Sequence, residues 1–218
     1  MKRPYDYLLF DLDGTLTDPM EGITRSVQYA LRRFGIEIGD LRTLTPFIGP
    51  PLAESFRTFY GFSEERIPEA IRTMREYFGE RGWRENRVYD GMPQLLGTLQ
   101  RAGYTLAVAT SKPTLFAQRI LDHFDLARWF VFVGGAEMDG RRQAKAEVIA
   151  HVTAQCGIDD PRRCLMIGDR RHDIAGARTA GMDSCGVLWG YGDREELTAA
   201  GATHIVASLD EMNRLLCG

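Results

Sequence analysis

Six short apolar runs punctuate this chain, most of them spaced widely enough to leave room for a helix: Tyr7–Phe10, Leu106–Ala109, Trp129–Val133, Cys164–Ile167, Gly186–Leu188 and His204–Val206. Runs of three to five apolar residues without polar alternation mark strands buried on both faces, the condition of a parallel sheet covered by helices. Helical spacing fills the intervals, with Leu95, Leu96 and Leu99 before Gly103, and Phe116, Ile120, Leu121 and Phe124 before the third run. The alternation predicts a doubly wound α/β sheet with a Rossmann-like core.

One interval breaks the rhythm. Between Leu12 and Tyr104 the chain carries three helical patterns: Ile23, Val27, Leu31 and Phe34 ending at Gly35; Leu52, Phe56 and Phe59 ending at Gly61; and Ile67, Ile71, Met74 and Phe78 ending at Gly79, with Ser63 as its start. No strand pattern occurs from about Asp18 to Arg84. This stretch reads as an all-helical domain inserted in the α/β core, so the expected division is 1–16 with 88–218 for the core and 17–87 for the insert.

Charge narrows the classes of partner. Twenty-seven basic against thirty acidic side chains give a net charge of −3, which favours neither nucleic acid nor an anionic membrane. No apolar run approaches the ~18 residues a membrane span requires, and Tyr7–Phe10 is too short for the core of a signal peptide before Asp11 interrupts it. Four cysteines without a C-x-x-C spacing read as buried free thiols in a reducing compartment. The expectation is a cytoplasmic protein facing a small molecule, with no nucleic acid, membrane or protein partner.

The chemistry-bearing residues gather where the apolar runs stop. The first run ends in Asp11-Leu12-Asp13-Gly14-Thr15, and an α/β sheet places its site at such carboxyl ends. Strand geometry would put Asp11 and Asp13 on one face, where two close negative charges need a proton or a cation between them; alone, the pair also reads as a strand-terminating turn. A second pair, Asp169 and Asp173, follows Leu165-Met166-Ile167-Gly168. If a helix begins there, both acids face one side and suit a hard cation, although a helix cap would use the same residues. Thr110 and Ser111 end the second core run ahead of a helix, where hydroxyls and free N–H groups meet an anion or merely cap. Lys145 opens a helix running through Val148, Ile149 and Val152, and by itself such a lysine is a solvated charge. Together these strand ends supply a nucleophile, a metal site, a hydrogen-bond donor and a counter-charge for phosphate.

Asp11-Leu12-Asp13-Gly14-Thr15, the Thr110 strand end, Lys145 and Gly168-Asp169 through Asp173 occur in the order of the haloacid dehalogenase-like phosphatases, and the chain resembles that family over nearly its whole length. A helical insert after the first motif is similar to the helical-cap members, especially the phosphoglycolate phosphatase-like group; Phe47–Leu52 and Gly186–Gly192 add to the likeness. The resemblance implies that Asp11 attacks phosphorus to form an aspartyl phosphate and that Asp13 protonates the leaving oxygen and then activates water. It implies magnesium held by Asp11, the backbone carbonyl of Asp13 and Asp169, with Asp173 supporting that site directly or through water, and phosphoryl oxygens bound by Thr110 and Lys145, with Ser111 as a further contact. In one departure, Gln143 and Ala144 precede Lys145 where relatives often carry a small or hydroxyl residue, which makes Arg141 and Arg142 rival cations.

The expected activity is magnesium-dependent hydrolysis of a small phosphate monoester, phosphoglycolate phosphatase-like. The alternatives are a 5'-nucleotidase of the same family, a sugar phosphomutase using the same core, or a non-enzymatic phosphate-binding module, for which Asp11 or Asp13 should be lost. Neither G-x-G-x-x-G nor G-x-x-x-x-G-K-[ST] occurs, which sets dinucleotide oxidoreductases and P-loop enzymes aside.

Overall fold

Leu8, Leu9 and Phe10 are fully buried, as befits the central strand of a covered sheet. Residues 4–218 are described by a computed structural model. In chain order its elements are β1 (Tyr7–Phe10), β2 (Thr17–Asp18), α1 (Met20–Arg33), α2 (Leu52–Tyr60), α3 (Ile67–Tyr77), β3 (Arg87–Val88), α4 (Met92–Arg101), β4 (Thr105–Pro113), α5 (Thr114–His123), β5 (Phe132–Ala136), α6 (Lys145–Gln155), β6 (Cys164–Gly168), α7 (Arg171–Thr179), β7 (Asp183–Val187), α8 (Arg194–Ala200), β8 (His204–Val206) and α9 (Leu209–Cys217).

The chain divides into two compact units, one formed by the chain up to Thr17 with Val88–Gly218, the other by Asp18–Arg87. In the first, six strands pair in the order β5-β4-β1-β6-β7-β8, every pair parallel. The chain steps outward from β1 to β5, then returns across β1 to begin the other half at β6. Such a reversal opens a crevice beyond the carboxyl ends of the strands on either side of it. Against one face, Val148, Ile149 and Val152 of α6 pack on Leu9, Ala107, Ala109 and Met166. Each large apolar side chain so buried contributes roughly 1.5–3 kcal/mol, and this packing fixes where α6 begins.

The second unit is helical, with α1, α2 and α3, a 3-10 segment at Leu41–Phe47 and a wide π turn at Phe78–Gly82. Its core is aromatic: Phe47 and Phe56 lie 5.1 Å apart, and Phe34 and Phe62 4.9 Å. β2 and β3 pair as a two-stranded ribbon, and the Arg87 guanidinium holds Asp18 at 2.6 Å.

Several expectations need correction. The third core strand is Phe132–Ala136, not Trp129–Val133, because Trp129 closes a 3-10 turn. The strand continues through Gly134 and Gly135, where added Cβ atoms would fall 2.4 Å from Val152 and 2.3 Å from the Lys112 carbonyl. Its continuation is therefore set by space rather than apolarity. Likewise β7 begins at Asp183, earlier than its apolar end suggested. Ser63 opens a turn rather than a helix, and α3 starts at Ile67 with Pro68 in the first turn, where a missing N–H costs nothing. Gly79 does not end the helical path, which runs on to Gly82; there a Cβ would meet the Gly22 carbonyl of α1 at 2.9 Å. Of the four free cysteines, Cys164 and Cys185 are buried, Cys156 is half-buried and Cys217 is exposed.

Candidate active site

β1 stops at Phe10, and the Asp11 N–H donates to the Ile167 carbonyl at 2.9 Å. That bond carries the β1–β6 register one step further and sets Asp11 beside the end of β6. The next residues turn sharply: the Leu12 carbonyl accepts from the N–H groups of Leu16 and Thr17 at 2.9 and 3.1 Å, while Gly14 N–H donates to Thr17 at 2.7 Å. Gly14 has φ +81°, a conformation side chains disfavour. Asp11 thus sits one step past β1 and Asp13 at the entry to the turn, where it bridges to Thr17, and both are buried.

β6 ends at Gly168, and α7 starts only at Arg171. Asp169 therefore sits in the loop and Asp173 in the first helical turn, so they do not share a helix face as their spacing suggested. They converge nonetheless, because space is left for them. An added Cβ would reach the Asp169 carboxylate at 2.2 Å from Gly14 and 2.5 Å from Gly190, and Asp173 at 2.2 Å from Gly168. Among the described residues, Asp11, Asp169 and Asp173 each offer one carboxylate oxygen, all within 4.8 Å of one another.

Lys145 begins the buried stripe of α6 that continues through Val148, Ile149 and Val152, so its side chain points inward. Its ammonium lies 2.9 Å from Asp11 and 2.7 Å from Asp173 and donates to the Ala109 carbonyl at 3.0 Å. Burial alone disfavours the charged lysine, but the two carboxylates outweigh it and raise its pKa. Arg141 instead pairs with Asp139 at 2.8 Å, and Arg142 with Glu137 and the Gly135 carbonyl. Neither of these arginines joins the acids.

Thr110 is buried in β4, and its hydroxyl accepts from the Lys112 N–H at 3.2 Å. Ser111, between them, is half-buried and contributes none of these contacts. Lys112 is the residue the sequence reading passed over: its ammonium donates to Asp13 Oδ2 at 2.6 Å, both side chains being nearly enclosed. The signal was its place two residues past Thr110 in a strand, where side chains share a face. The role of Trp189–Tyr191 was also unread. Trp189 donates to the Thr15 carbonyl at 3.0 Å, and the Tyr191 N–H donates to Asp169 at 2.8 Å.

Four buried carboxylates thus meet two ammonium groups. Burial raises Asp13, with Lys112 opposing, and pushes Asp173 up to about 6 despite Lys145. Asp169 is raised well above the carboxylate range, first by burial and then by Asp173 and Asp11. Its partners are N–H and hydroxyl dipoles, from Tyr191 and from Thr15 at 3.4 Å, rather than an ammonium. An all-oxygen donor set carrying this much uncompensated charge fits a hard divalent cation.

Acids from two neighbouring strand ends, faced by an inward lysine across the crevice of a parallel sheet, define a site for handling anionic substrates. Residues 8–187 match the haloacid dehalogenase-like hydrolase family, and the chain belongs to it. A protein of Pseudomonas aeruginosa named 5'-nucleotidase is 50% identical over 212 residues, covering 97% of this chain and 96% of the relative. The tyrosine-protein kinase PtkA of Mycobacterium tuberculosis is 40% identical over 211 residues, covering 96% of this chain and 72% of that protein. A phosphoglycolate phosphatase of Agrobacterium fabrum is 31% identical over 198 residues, with 88% and 84% covered. The crystal structure of a predicted phosphatase from Clostridium acetobutylicum superposes with a TM-score of 0.94 at 47% identity, covering 97% of each chain. Among the described residues no helix is long and apolar enough to cross a membrane.

Proposed function

We propose that the chain hydrolyses small phosphate monoesters through an aspartyl phosphate, with magnesium held by Asp11, Asp169 and Asp173 and by the Asp13 backbone carbonyl. The observation that carries this reading is Lys145, whose one ammonium joins the acids of two strand ends at 2.9 and 2.7 Å. The Asp11 carboxylate forms the new bond to phosphorus as the ester oxygen leaves. Asp13 gives that oxygen a proton, then takes one from the water that releases phosphate. Lys145 and the Thr110 hydroxyl hold the phosphoryl oxygens, with Ser111 as an outer contact. Bound magnesium supplies charge neutralisation to the phosphoryl group in transfer. The helical unit, Asp18–Arg87, serves as the cap that selects the leaving group.

The 50% identity to a 5'-nucleotidase supports nucleoside 5'-monophosphates as the leading substrate class, ahead of phosphoglycolate. Purified protein with magnesium should release phosphate from a nucleoside monophosphate faster than from phosphoglycolate, and excess chelator should abolish both. Equal rates in chelator would remove the metal from the reading. Transfer of phosphate from ATP to tyrosine without monoester hydrolysis would replace the hydrolase with a kinase.

A further inference from the structure

The Lys112–Asp13 pair is one-sided. The ammonium donates to Asp13 Oδ2 at 2.6 Å, whereas Oδ1 is buried with no hydrogen-bond partner. Holding a lysine side chain in one geometry costs rotamer entropy, and a buried oxygen without a hydrogen-bond partner carries a desolvation cost as well. A pair that served only to neutralise Asp13 gains nothing from leaving the second oxygen bare. The backbone keeps the lysine in place, since the Lys112 N–H is tied to the Thr110 hydroxyl at 3.2 Å in the same strand.

We propose that Lys112 is a positioning residue for Asp13: its ammonium pins Oδ2 and fixes Oδ1 as the oxygen that gives and takes the proton. The inference rests on the reading of Asp13 as acid and base. In the first half-reaction the Asp11 oxygen bonds to phosphorus, the ester P–O bond breaks and the proton on Asp13 Oδ1 moves to the leaving oxygen. In the second, water bonds to phosphorus, its proton moves to Oδ1 and the bond to Asp11 breaks. Lys112 keeps its charge throughout and exchanges no proton. A carboxylate free to rotate presents either oxygen, and the clamp removes that freedom before the substrate arrives.

The test is the dependence of kcat/KM on the leaving group, measured from dinitrophenyl phosphate, whose leaving group needs little protonation, to alkyl phosphates, which need it fully. Lys112→Met should lose on the order of 10²- to 10³-fold on alkyl phosphates, within the usual contribution of general acid catalysis, and far less on the dinitrophenyl ester. Lys112→Arg should recover part of the loss, and Lys112→Met should add little in an Asp13→Asn background. An equal loss across all esters, or a full multiplicative loss on top of Asp13→Asn, would overturn the inference and make Lys112 a substrate or packing contact. Thermal midpoints accompany each rate. Should Lys112→Met fail to fold, Lys112→Gln, which keeps a donor, must show the same steepening in milder form; a flat profile in that variant refutes the clamp. Wild-type protein inert towards the whole series would instead overturn the phosphatase reading, and this inference with it.

Discussion

Replacing Lys145 by methionine preserves the length of the stem and removes only the ammonium. What remains is a pair of carboxylates, Asp11 and Asp173, that had been 2.9 and 2.7 Å from it, plus an Ala109 carbonyl that loses its donor. The lysine side chain is 4% exposed, so water cannot take over its role. Breaking a buried ion pair by deleting one partner costs ~3–5 kcal/mol, a large share of a typical folding free energy of ~5–15 kcal/mol. Urea unfolding of Lys145→Met in chelator at pH 8, where protonation helps the stranded acids least, should therefore show a loss of that size with an unchanged denaturant slope. Saturating magnesium should shrink the deficit, since a cation bound only by the folded state stabilises it by mass action. Arginine is not expected to rescue, because the stem passes α7 where a Cβ on Gly176 would lie 2.7 Å from Lys145 Cγ, leaving little room for a larger group. A loss below ~1 kcal/mol in chelator would refute the view of Lys145 as the hub of the buried charges.

Asp11→Asn should lower turnover by several orders of magnitude while circular dichroism and thermal unfolding stay near wild type, since the change removes the proposed nucleophile and one of several crowded negative charges; substantial turnover would end its assignment. Gly190→Ala places a Cβ 2.4 Å from both the Asp169 Cβ and the Gly14 carbonyl, so calorimetry should find divalent-ion affinity reduced by roughly 10- to 100-fold. Tyr5→Phe removes a hydroxyl that donates to Asp183 at 2.7 Å and meets His204 at 3.1 Å, a loss of ~1–3 kcal/mol. Burial, followed by Asp183, raises the Tyr5 pKa in the folded chain, so the unfolded chain releases that proton first. Wild-type stability should accordingly fall as pH rises through about 10, and Tyr5→Phe should fall less steeply in alkaline urea titrations.

Apolar runs located the strands wherever large side chains carry the burial, as in β1 and β6. They misplaced β5, whose course depends on Gly134 and Gly135 fitting against Val152 and Lys112; such a fit belongs to the neighbours and leaves no apolar trace. The acids could be read because carboxylates that close an apolar strand stand out. Lys145 looked like a solvated charge from its composition alone, yet its spacing to Val148, Ile149 and Val152 already put it on the apolar face of α6. Lys112 was legible by the same kind of argument, through alternation past Thr110. What sequence could not supply is the meeting of distant segments, such as the Tyr191 N–H on Asp169.

The placement of β1 also sets the order in which the molecule can assemble. Tyr7 pairs on one side with Thr105 and on the other with Cys164, so β1 is made before either neighbour and must wait for both. Non-local pairings of this kind slow folding, because chain closure must precede the contacts that reward it. Until the ribosome has delivered residues beyond Gly168, one edge of β1 stays open and Asp11 lies apart from Asp169 and Asp173. An emerging chain is therefore a vulnerable one, with an apolar strand edge open to pairing with other chains. Only closure of β6 onto β1 ends that exposure, and the same step brings Asp11 and Asp169 together.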